Sequence, residues 1–190
     1  MMLKRTFDLL VSGIALVLIA PILLAIGLAI KLDSRGPAFF RQERVGRFGR
    51  TFRIHKFRSM AADAPTRGPQ LTIGEDARIT RVGGFLRRHK LDELPQLIDV
   101  FVGNMSVVGP RPEVPSYVAL YSPEDRDLVL SVRPGITDRA SVEFKDESEI
   151  LGAASDPEGA RDSRPLADSA TCGNALLMVC TDQMRYHAGR

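Results

Sequence analysis

An apolar stretch from Leu9 to Ile30 most constrains how this chain can fold, because it contains no charged residue. About 20 apolar residues suffice for a helix to cross the hydrocarbon core of a bilayer, so the stretch is long enough to span one. Lys4 and Arg5 precede it and Lys31 and Arg35 follow it, so the positive-inside rule assigns no orientation. The stretch therefore predicts a membrane helix whose two flanks are both basic.

Pro21 lies near the middle of this stretch and lacks the backbone N–H that a helix interior uses. A helix broken at Pro21 could turn back and leave the membrane on the side it entered, with both basic flanks on the cytoplasmic side. A single-pass helix that tolerates the proline is the alternative, and the residues alone do not decide between the two. A cleaved signal peptide fits less well, because no small-x-small site precedes polar sequence.

Charge is divided unevenly along the chain. Residues 1–90 contain 17 Lys and Arg against 6 Asp and Glu, although the net charge of the whole chain is only +3. Between Phe39 and Arg58, basic and aromatic residues are interleaved in two segments that predict short strands around a turn at Gly46 and Gly49. A basic face beside an apolar helix indicates an anionic partner such as a phospholipid or a phosphorylated substrate. Nucleic acid is disfavoured, since we find neither a recognition helix nor a repeated aromatic platform.

Two adjacent carboxylates, Asp92 and Glu93, follow the basic run from Arg87 to Lys90. We expect Asp92 to be the N-cap of a helix that ends at Gly103, and capping alone would explain it. The N-terminal end of a helix also attracts anions, so the site can hold a pyrophosphate, keep Asp92 ionised and offer Glu93 to Mg²⁺. An ionised aspartate beside a phosphate can attack phosphorus, whereas glycosidases need two carboxylates about 5 Å or more apart across a sugar bond.

Arg111 stands between Pro110 and Pro112, which hold it on a rigid, extended turn. A guanidinium fixed in this way suits bidentate phosphate binding, although an incidental surface turn is the alternative. The further predicted elements are a short helix from Ile79, a strand at Val107–Val108, a helix at Pro123–Leu130 capped by Ser122, a turn at Arg133–Thr137 and a strand at Ala140–Phe144.

Six blocks in order resemble the bacterial sugar transferases, which are monotopic phosphoglycosyl transferases acting on polyprenyl phosphate. The blocks are residues 4–8 with the Pro-containing helix, 39–46, 56–60, 91–96, 105–112 and 133–137. The resemblance covers roughly residues 1–150. It implies a mixed, helix-rich α/β fold, with a re-entrant membrane helix broken at Pro21 in residues 1–35 and a compact cytoplasmic catalytic domain in residues 36–155.

The resemblance also implies a reaction. A sugar-1-phosphate would pass from a UDP-sugar to polyprenyl (undecaprenyl) phosphate with release of UMP, as the first membrane step of exopolysaccharide, O-antigen or other glycoconjugate synthesis. Asp92 would be the nucleophile that forms a covalent aspartyl-phosphosugar, and Glu93 would bind Mg²⁺. The implied substrate-binding residues are Lys56, Arg58, Arg87, Pro110, Arg111 and Pro112. The expected location is the bacterial inner membrane, with the catalytic domain on the cytoplasmic face and in contact with phospholipid.

Residues 156–190 depart from the family's pattern, since they lack the basic and aromatic amphipathic helices expected there. We expect them to pack poorly, as in a frameshifted or truncated chain or an unusual subfamily. Cys172 and Cys180 are expected to be reduced thiols, because their spacing fits no common metal site. Asn104 replaces an acidic residue that is common in the family, with little effect expected. The alternative function is a non-catalytic, membrane-anchored basic module that binds anionic lipid or a partner.

Overall fold

The computed structural model describes residues 2–64 and 76–137. The predictions for residues 156–190, for the strand at 140–144 and for most of the loop at 61–78 lie outside these ranges. Within them the chain contains both helices and strands, which confirms the mixed α/β expectation. The domain boundaries drawn at residues 1–35, 36–155 and 156–190 stay predictions.

Helix α1 spans Met2–Asp33 and is long and apolar enough to cross a membrane, judged by length and composition. Most of its large apolar side chains are exposed, and Val17 and Leu24 are each 76% accessible. We predicted a break at Pro21, but the helix is continuous through this residue. A proline removes only its own N–H from the helical hydrogen bonds, so the turns on either side can persist around a bend.

Strands β1 (Phe39–Val45) and β2 (Thr51–Phe57) form the predicted hairpin. They pair antiparallel, with Phe39 opposite Phe57 and Val45 opposite Thr51. The chain reverses in a 3₁₀ turn, Arg47–Gly49, where Gly49 has a φ of 74° that glycine adopts without strain. The hairpin confirms the two strands expected around this turn.

Helices α2 (Arg81–Arg88) and α3 (Gln96–Val102) follow. Thr80 caps α2, since its hydroxyl accepts the Gly83 amide at 3.0 Å. Gly103 ends α3 in the left-handed conformation with a φ of 102°, as predicted. The connection between the two helices carries both predicted carboxylates.

Strands β3 (Ser106–Val108) and β4 (Gly135–Thr137) form a second two-stranded sheet. Strand β3 confirms the prediction at residues 107–108, but the turn predicted at residues 133–137 is wrong over its last three residues, which form β4. The pairing depends on Gly109 and Gly135, because a Cβ on either would collide with the backbone of the other.

Two short helices lie between these strands. Helix α4 covers Pro115–Val118 and was not separately predicted. Helix α5 covers Pro123–Leu130, and the Ser122 hydroxyl accepts the Asp125 amide at 3.1 Å. Both the bounds of α5 and its N-cap are confirmed.

Two buried clusters hold these elements together. The first contains Ile30, Phe57 and Leu86, so it joins the C-terminal part of α1 to β2 and α2. The second contains Ile54, Val100 and Met105, so it joins β2 to α3 and the start of β3. Strand β2 contributes to both, because its side chains alternate between the two sides of the hairpin.

Both ends of α1 contact this same compact unit. Near the N-terminal end, the Arg5 guanidinium donates to the carbonyl oxygens of Val100 at 2.6 Å and Phe101 at 2.8 Å. Near the other end, Asp33 accepts the amide of Val82, the second residue of α2, at 3.1 Å. The middle of the helix presents exposed apolar side chains, among them Leu18 and Ile22.

Substitution of Gly36 tests the contact between Arg58 and the segment that follows α1. Its φ is +123°, and a Cβ there would collide with the Arg58 guanidinium. We expect Gly36→Ala to lower the free energy of unfolding by roughly 1–3 kcal/mol, through backbone strain and displacement of Arg58. Denaturant unfolding in detergent micelles measures it. Gly27→Ala is the matched control, because nothing lies within 4 Å of that position; an equal loss in both variants would contradict the explanation.

Candidate active site

A sharp reversal after α2 places the two carboxylates. Lys90 adopts the left-handed conformation with a φ of 56°, and the 3₁₀ turn Leu91–Glu93 follows it directly. A lysine is uncommon in this region of conformational space, and such residues concentrate at functional sites. The turn buries the Asp92 side chain to 3% exposure and leaves that of Glu93 at 16%.

Asp92 is not the helix N-cap that we predicted. It lies inside the 3₁₀ turn, α3 begins only at Gln96, and the residue before α3 is Pro95, which has no side-chain cap. The left-handed Lys90 accounts for the difference, because it starts a separate turn before the helix. The Asp92 carboxylate is thereby available for other contacts than capping.

Lys56 bridges the two carboxylates. Its Nζ lies 2.9 Å from Asp92 Oδ2 and 3.2 Å from Glu93 Oε1. The Arg111 Nη2 donates to the same Glu93 Oε1 at 2.9 Å. Four of the predicted site residues therefore form one cluster, which combines the buried Asp92 and the partly buried Glu93 with two cations. Because the Lys56 side chain is 28% exposed and the Arg111 side chain 50%, both residues also reach solvent.

The turn that carries Arg111 is fixed by its neighbours. The Gly135 amide donates to the Pro110 carbonyl at 2.8 Å, and the Arg44 guanidinium donates to the Pro112 carbonyl at 2.9 Å. Arg44 was not predicted as a site residue. Its position in the basic run of β1 was visible in the sequence, but nothing there distinguished it from the other arginines of the run.

Opposing effects act on the pKa of Glu93. Burial, the largest, raises it, whereas the charges and hydrogen bonds of Lys56 and Arg111 lower it. The two cations together outweigh burial, so the pKa of Glu93 lies below its ordinary value of 4.5. Glu93 is therefore a carboxylate at neutral pH.

Two predicted substrate-binding residues lie apart from this cluster. Arg58 is 5% exposed and donates to the carbonyl oxygens of Ser34 at 2.8 Å and Arg35 at 2.7 Å, at the end of α1. Arg87 is partly buried in the last turn of α2 and forms no ion pair with Asp92 or Glu93. The structure thus groups Lys56 and Arg111 with the carboxylates and leaves the other two arginines outside that group.

Sequence reasoning also missed the pair formed by His55, which precedes Lys56 in β2, and the buried Asp99 of α3. Asp99 is fully buried and accepts the His55 backbone amide at 2.8 Å, while its other oxygen lies 2.9 Å from the ring Nδ1. The Arg41 guanidinium lies 2.7 Å from the ring Nε2. Asp99 links β2 to α3 next to Lys56. His55 and Asp99 are 44 residues apart in the sequence, so no local sequence pattern predicts their contact.

The carboxylates of the cluster can bind Mg²⁺ only as part of a larger set of ligands. Within residues 2–64 and 76–137, no group of three His, Cys, Asp or Glu side chains could form an all-protein cage. Mg²⁺ is ordinarily bound by one or two carboxylates together with substrate phosphates and water. Both cation contacts of Glu93 use Oε1, so they leave Oε2 to a further ligand. The residues present therefore fit Mg²⁺ only in company with a phosphorylated substrate.

The comparisons with known proteins agree on one family. The family model described as bacterial sugar transferase matches residues 1–157. The UDP-N-acetylgalactosamine-undecaprenyl-phosphate N-acetylgalactosaminephosphotransferase of Aeromonas hydrophila is 41% identical over 163 residues, covering 83% of this chain and 36% of that protein. The UDP-glucose:undecaprenyl-phosphate glucose-1-phosphate transferase of Escherichia coli K12 is 41% identical over 153 residues, covering 79% and 33%. The exopolysaccharide production protein PSS of Rhizobium leguminosarum is 50% identical over 112 residues, covering 58% and 56%.

The chain spans only about a third of the length of the first two of these relatives. The match includes all of the residues in the described carboxylate and cation cluster, since they lie within residues 1–157. The resemblance that six sequence blocks indicated is thereby confirmed.

The lowered pKa of Glu93 predicts how stability depends on pH. A carboxyl group with a folded-state pKa below its unfolded value stabilises the fold above about pH 4.5, and this contribution is lost as pH falls through the folded-state pKa. In Lys56→Met, burial is opposed by Arg111 alone, so the pKa of Glu93 rises and the acid-side loss shrinks. Carbon-13 NMR titration of the Glu93 carboxyl, beside thermal melts from pH 3 to 7, measures both effects. Arg126→Met, on the exposed face of α5, should leave the titration unchanged; an unchanged titration in Lys56→Met would contradict the assignment.

Proposed function

This chain belongs to the bacterial sugar transferase family, and on that basis we propose that it transfers a sugar-1-phosphate from a UDP-sugar to polyprenyl phosphate, releasing UMP. The observation that supports this most is the adjacent pair of buried Asp92 and partly buried Glu93, with Lys56 between the two side chains. The names of the Aeromonas and E. coli relatives specify undecaprenyl phosphate as acceptor and UDP-sugars as donors. We extend both substrate classes to this chain.

Asp92 is the proposed nucleophile. In the first step its Oδ atom forms a bond to the sugar-linked phosphorus of the UDP-sugar, and the bond between this phosphorus and the bridging oxygen breaks. UMP leaves with that oxygen and its electron pair, so that an aspartyl-phosphosugar remains. In the second step an oxygen of polyprenyl phosphate bonds to the same phosphorus, and the Asp92–phosphorus bond breaks. The carboxylate is regenerated, and no net proton transfer is needed when both phosphate acceptor and UMP are dianions.

Lys56 and Arg111 bind the diphosphate in this proposal. In the described cluster they already neutralise the carboxylates at 2.9–3.2 Å, and their exposed faces allow phosphate oxygens to approach. Such cations offset the charge that develops on the departing UMP. Arg111 can present two donors to one phosphate, since its turn is rigidly held. Arg87 remains a proposed phosphate contact.

Glu93 is the proposed protein ligand of Mg²⁺, together with phosphate oxygens. When bound, the ion supplies charge neutralisation for the diphosphate. Glu93 suits the role because its lowered pKa keeps it ionised and one of its oxygens is not engaged by Lys56 or Arg111.

We further propose that α1 enters the membrane and returns to the same side. A straight helix of 32 residues would be about 48 Å long, enough to separate its ends across a bilayer core of about 30 Å. Yet Arg5 at one end and Asp33 at the other both bond to a single compact unit. Attachment at both ends favours a helix bent near Pro21, with both basic flanks and the catalytic unit at the cytoplasmic face of the inner membrane.

Replacing the nucleophile tests the proposed chemistry. We expect Asp92→Asn to lower UMP release by about 10³-fold or more, because an amide cannot form the acyl phosphate. Membranes containing the chain are assayed with a panel of UDP-sugars, Mg²⁺ and polyprenyl phosphate. Labelled UMP should also exchange into the UDP-sugar without polyprenyl phosphate, which only a covalent intermediate permits.

Asp127→Asn is the matched control, since Asp127 is an exposed aspartate on α5. It should retain wild-type UMP release. Full activity of Asp92→Asn would exclude Asp92 as the nucleophile. A wild-type chain that binds anionic vesicles but releases no UMP from any donor would instead favour the non-catalytic, lipid-binding module.

Side-specific labelling tests the proposed topology. Cysteines are introduced at Met2 and Leu32, whose side chains are 88% and 80% exposed, after Cys172 and Cys180 have been replaced by serine. We expect a membrane-impermeant maleimide to label both positions in inside-out vesicles and neither in intact spheroplasts. Labelling of one position from each side would show that α1 spans the membrane.

A further inference from the structure

The two ends of α1 are bonded to the two segments that carry the site cations. Asp8, near the N-terminal end, contacts β3, which leads to the Arg111 turn. Ser34 and Arg35, just beyond the C-terminal end, contact Arg58, which follows Lys56 by two residues. Neither Asp8 nor Arg58 contacts Asp92 or Glu93 through any hydrogen bond or ion pair described above.

Asp8 is a buried carboxylate directly before the apolar stretch of α1, and it is 2% exposed. The Ser106 hydroxyl lies 3.1 Å from Asp8 Oδ1 and 3.0 Å from Oδ2, and the Val107 amide donates to Oδ1 at 3.1 Å. The Ser12 hydroxyl donates to the Asp8 carbonyl at 2.6 Å. A buried carboxylate is tolerated only when its oxygens are satisfied, so Asp8 constrains β3 strongly.

The constraint on β3 extends to Arg111. The Ser106 amide donates to the Pro134 carbonyl at 2.8 Å, and the Gly135 amide donates to the Pro110 carbonyl at 2.8 Å. Hydrogen bonds therefore join the β3 and β4 segments on both sides of the point where the Gly109 and Gly135 backbones approach each other. Only Pro110, whose backbone is restricted, separates Gly109 from Arg111, and the Arg111 guanidinium donates to Glu93.

Arg58 forms the corresponding link at the other end. Its Nη1 donates to the Arg35 carbonyl at 2.7 Å, and its Nη2 donates to the carbonyl and the hydroxyl of Ser34 at 2.8 Å. Its backbone amide donates to the Ala38 carbonyl at 2.9 Å, so Arg58 continues the pairing of β1 with β2. Between Arg58 and Lys56, the Phe57 ring is fully buried against Ile30 of α1.

We propose that Asp8 and Arg58 are positioning residues, through which α1 holds Arg111 and Lys56 at a fixed separation around the carboxylates. The proposal rests on the proposed function for its kinetic consequences. Because each cation is tied to a different end of the helix, a change in how α1 sits in the bilayer alters the cluster. Lys56 and Arg111 both lie beside the carboxylates only when the N-terminal end of α1 contacts β3 and the segment after its C-terminal end contacts Arg58.

Hydrogen exchange tests the Asp8 link without any turnover. We expect Asp8→Ala to speed exchange of the Gly135 and Val45 amides, which bond to the Arg111 segment at Pro110 and Glu113, by about tenfold or more. Asp8→Asn keeps one acceptor oxygen and should have a smaller effect. The Arg126 amide of α5, bonded to the Ser122 carbonyl, is the internal reference.

Asp127→Ala is the control variant, and it should leave all of these amides unchanged. Equal acceleration of the reference amide would show that Asp8 contributes only to global stability, which would overturn the proposal. Unchanged exchange at Gly135 and Val45 in a folded Asp8→Ala chain would overturn it as well. The readout requires no substrate, so it decides the link even if the wild-type chain releases no UMP.

Kinetic coupling tests both links in the active protein. Asp8→Ala combined with Arg111→Lys should deviate from the product of the single effects on kcat/KM by about threefold or more, whereas Asp8→Ala with Lys56→Arg should be multiplicative. Arg58→Met should deviate from multiplicative behaviour with Lys56→Arg and be multiplicative with Arg111→Lys. Arg58→Lys should restore part of the kcat that Arg58→Met loses. Arg126→Met serves as the arginine control on exposed α5. Multiplicative effects in all four pairs would overturn the proposal while leaving the assignment of Asp92 intact.

Discussion

Lys56 makes it possible to bury two carboxylates side by side. Asp92 and Glu93 are neighbours in the chain, their side chains are almost out of water, and a single ammonium lies within 2.9–3.2 Å of both. An uncompensated buried carboxylate would be destabilised by several kcal/mol or would take up a proton. The rest of the described fold can be understood as the means of keeping this cation opposite that pair.

Three contacts give strand β2, and hence Lys56, its position. Ile54 packs against α3 and β3, Phe57 packs against α1 and α2, and the His55 amide is bonded to Asp99. Since only Leu94 and Pro95 separate the carboxylate turn from α3, the Asp99 contact between β2 and α3 also limits the distance between the Lys56 ammonium and the two carboxylates. Side chains alternate along a strand, so consecutive residues of β2 have different contacts: Ile54 and Phe57 pack in the core, His55 contacts Asp99, and Lys56 contacts the carboxylates.

Local sequence rules predicted those parts of the fold that single residues determine. Gly103 ended a helix and Ser122 started one, because each residue type satisfies a specific backbone requirement. The same rules misplaced Asp92, since they do not anticipate a left-handed Lys90, and they could not show that Lys56 reaches a turn far along the chain. The proposed distinction between Asp92 as nucleophile and Glu93 as metal ligand comes from the family resemblance alone, because both are carboxylates bound to the same lysine.

The apolar helix acquires a second role from this geometry. A helix that served only as an anchor would need one attachment to its domain, whereas α1 is bonded to the domain near both Asp8 and Asp33. A buried aspartate near one end also opposes membrane insertion of that segment unless its oxygens are satisfied by protein. Ser106 and Val107 satisfy them only when the helix end lies against β3. The contact of that end with the domain would therefore restrict how α1 enters a bilayer, and the same bonds hold the strand that leads to Arg111.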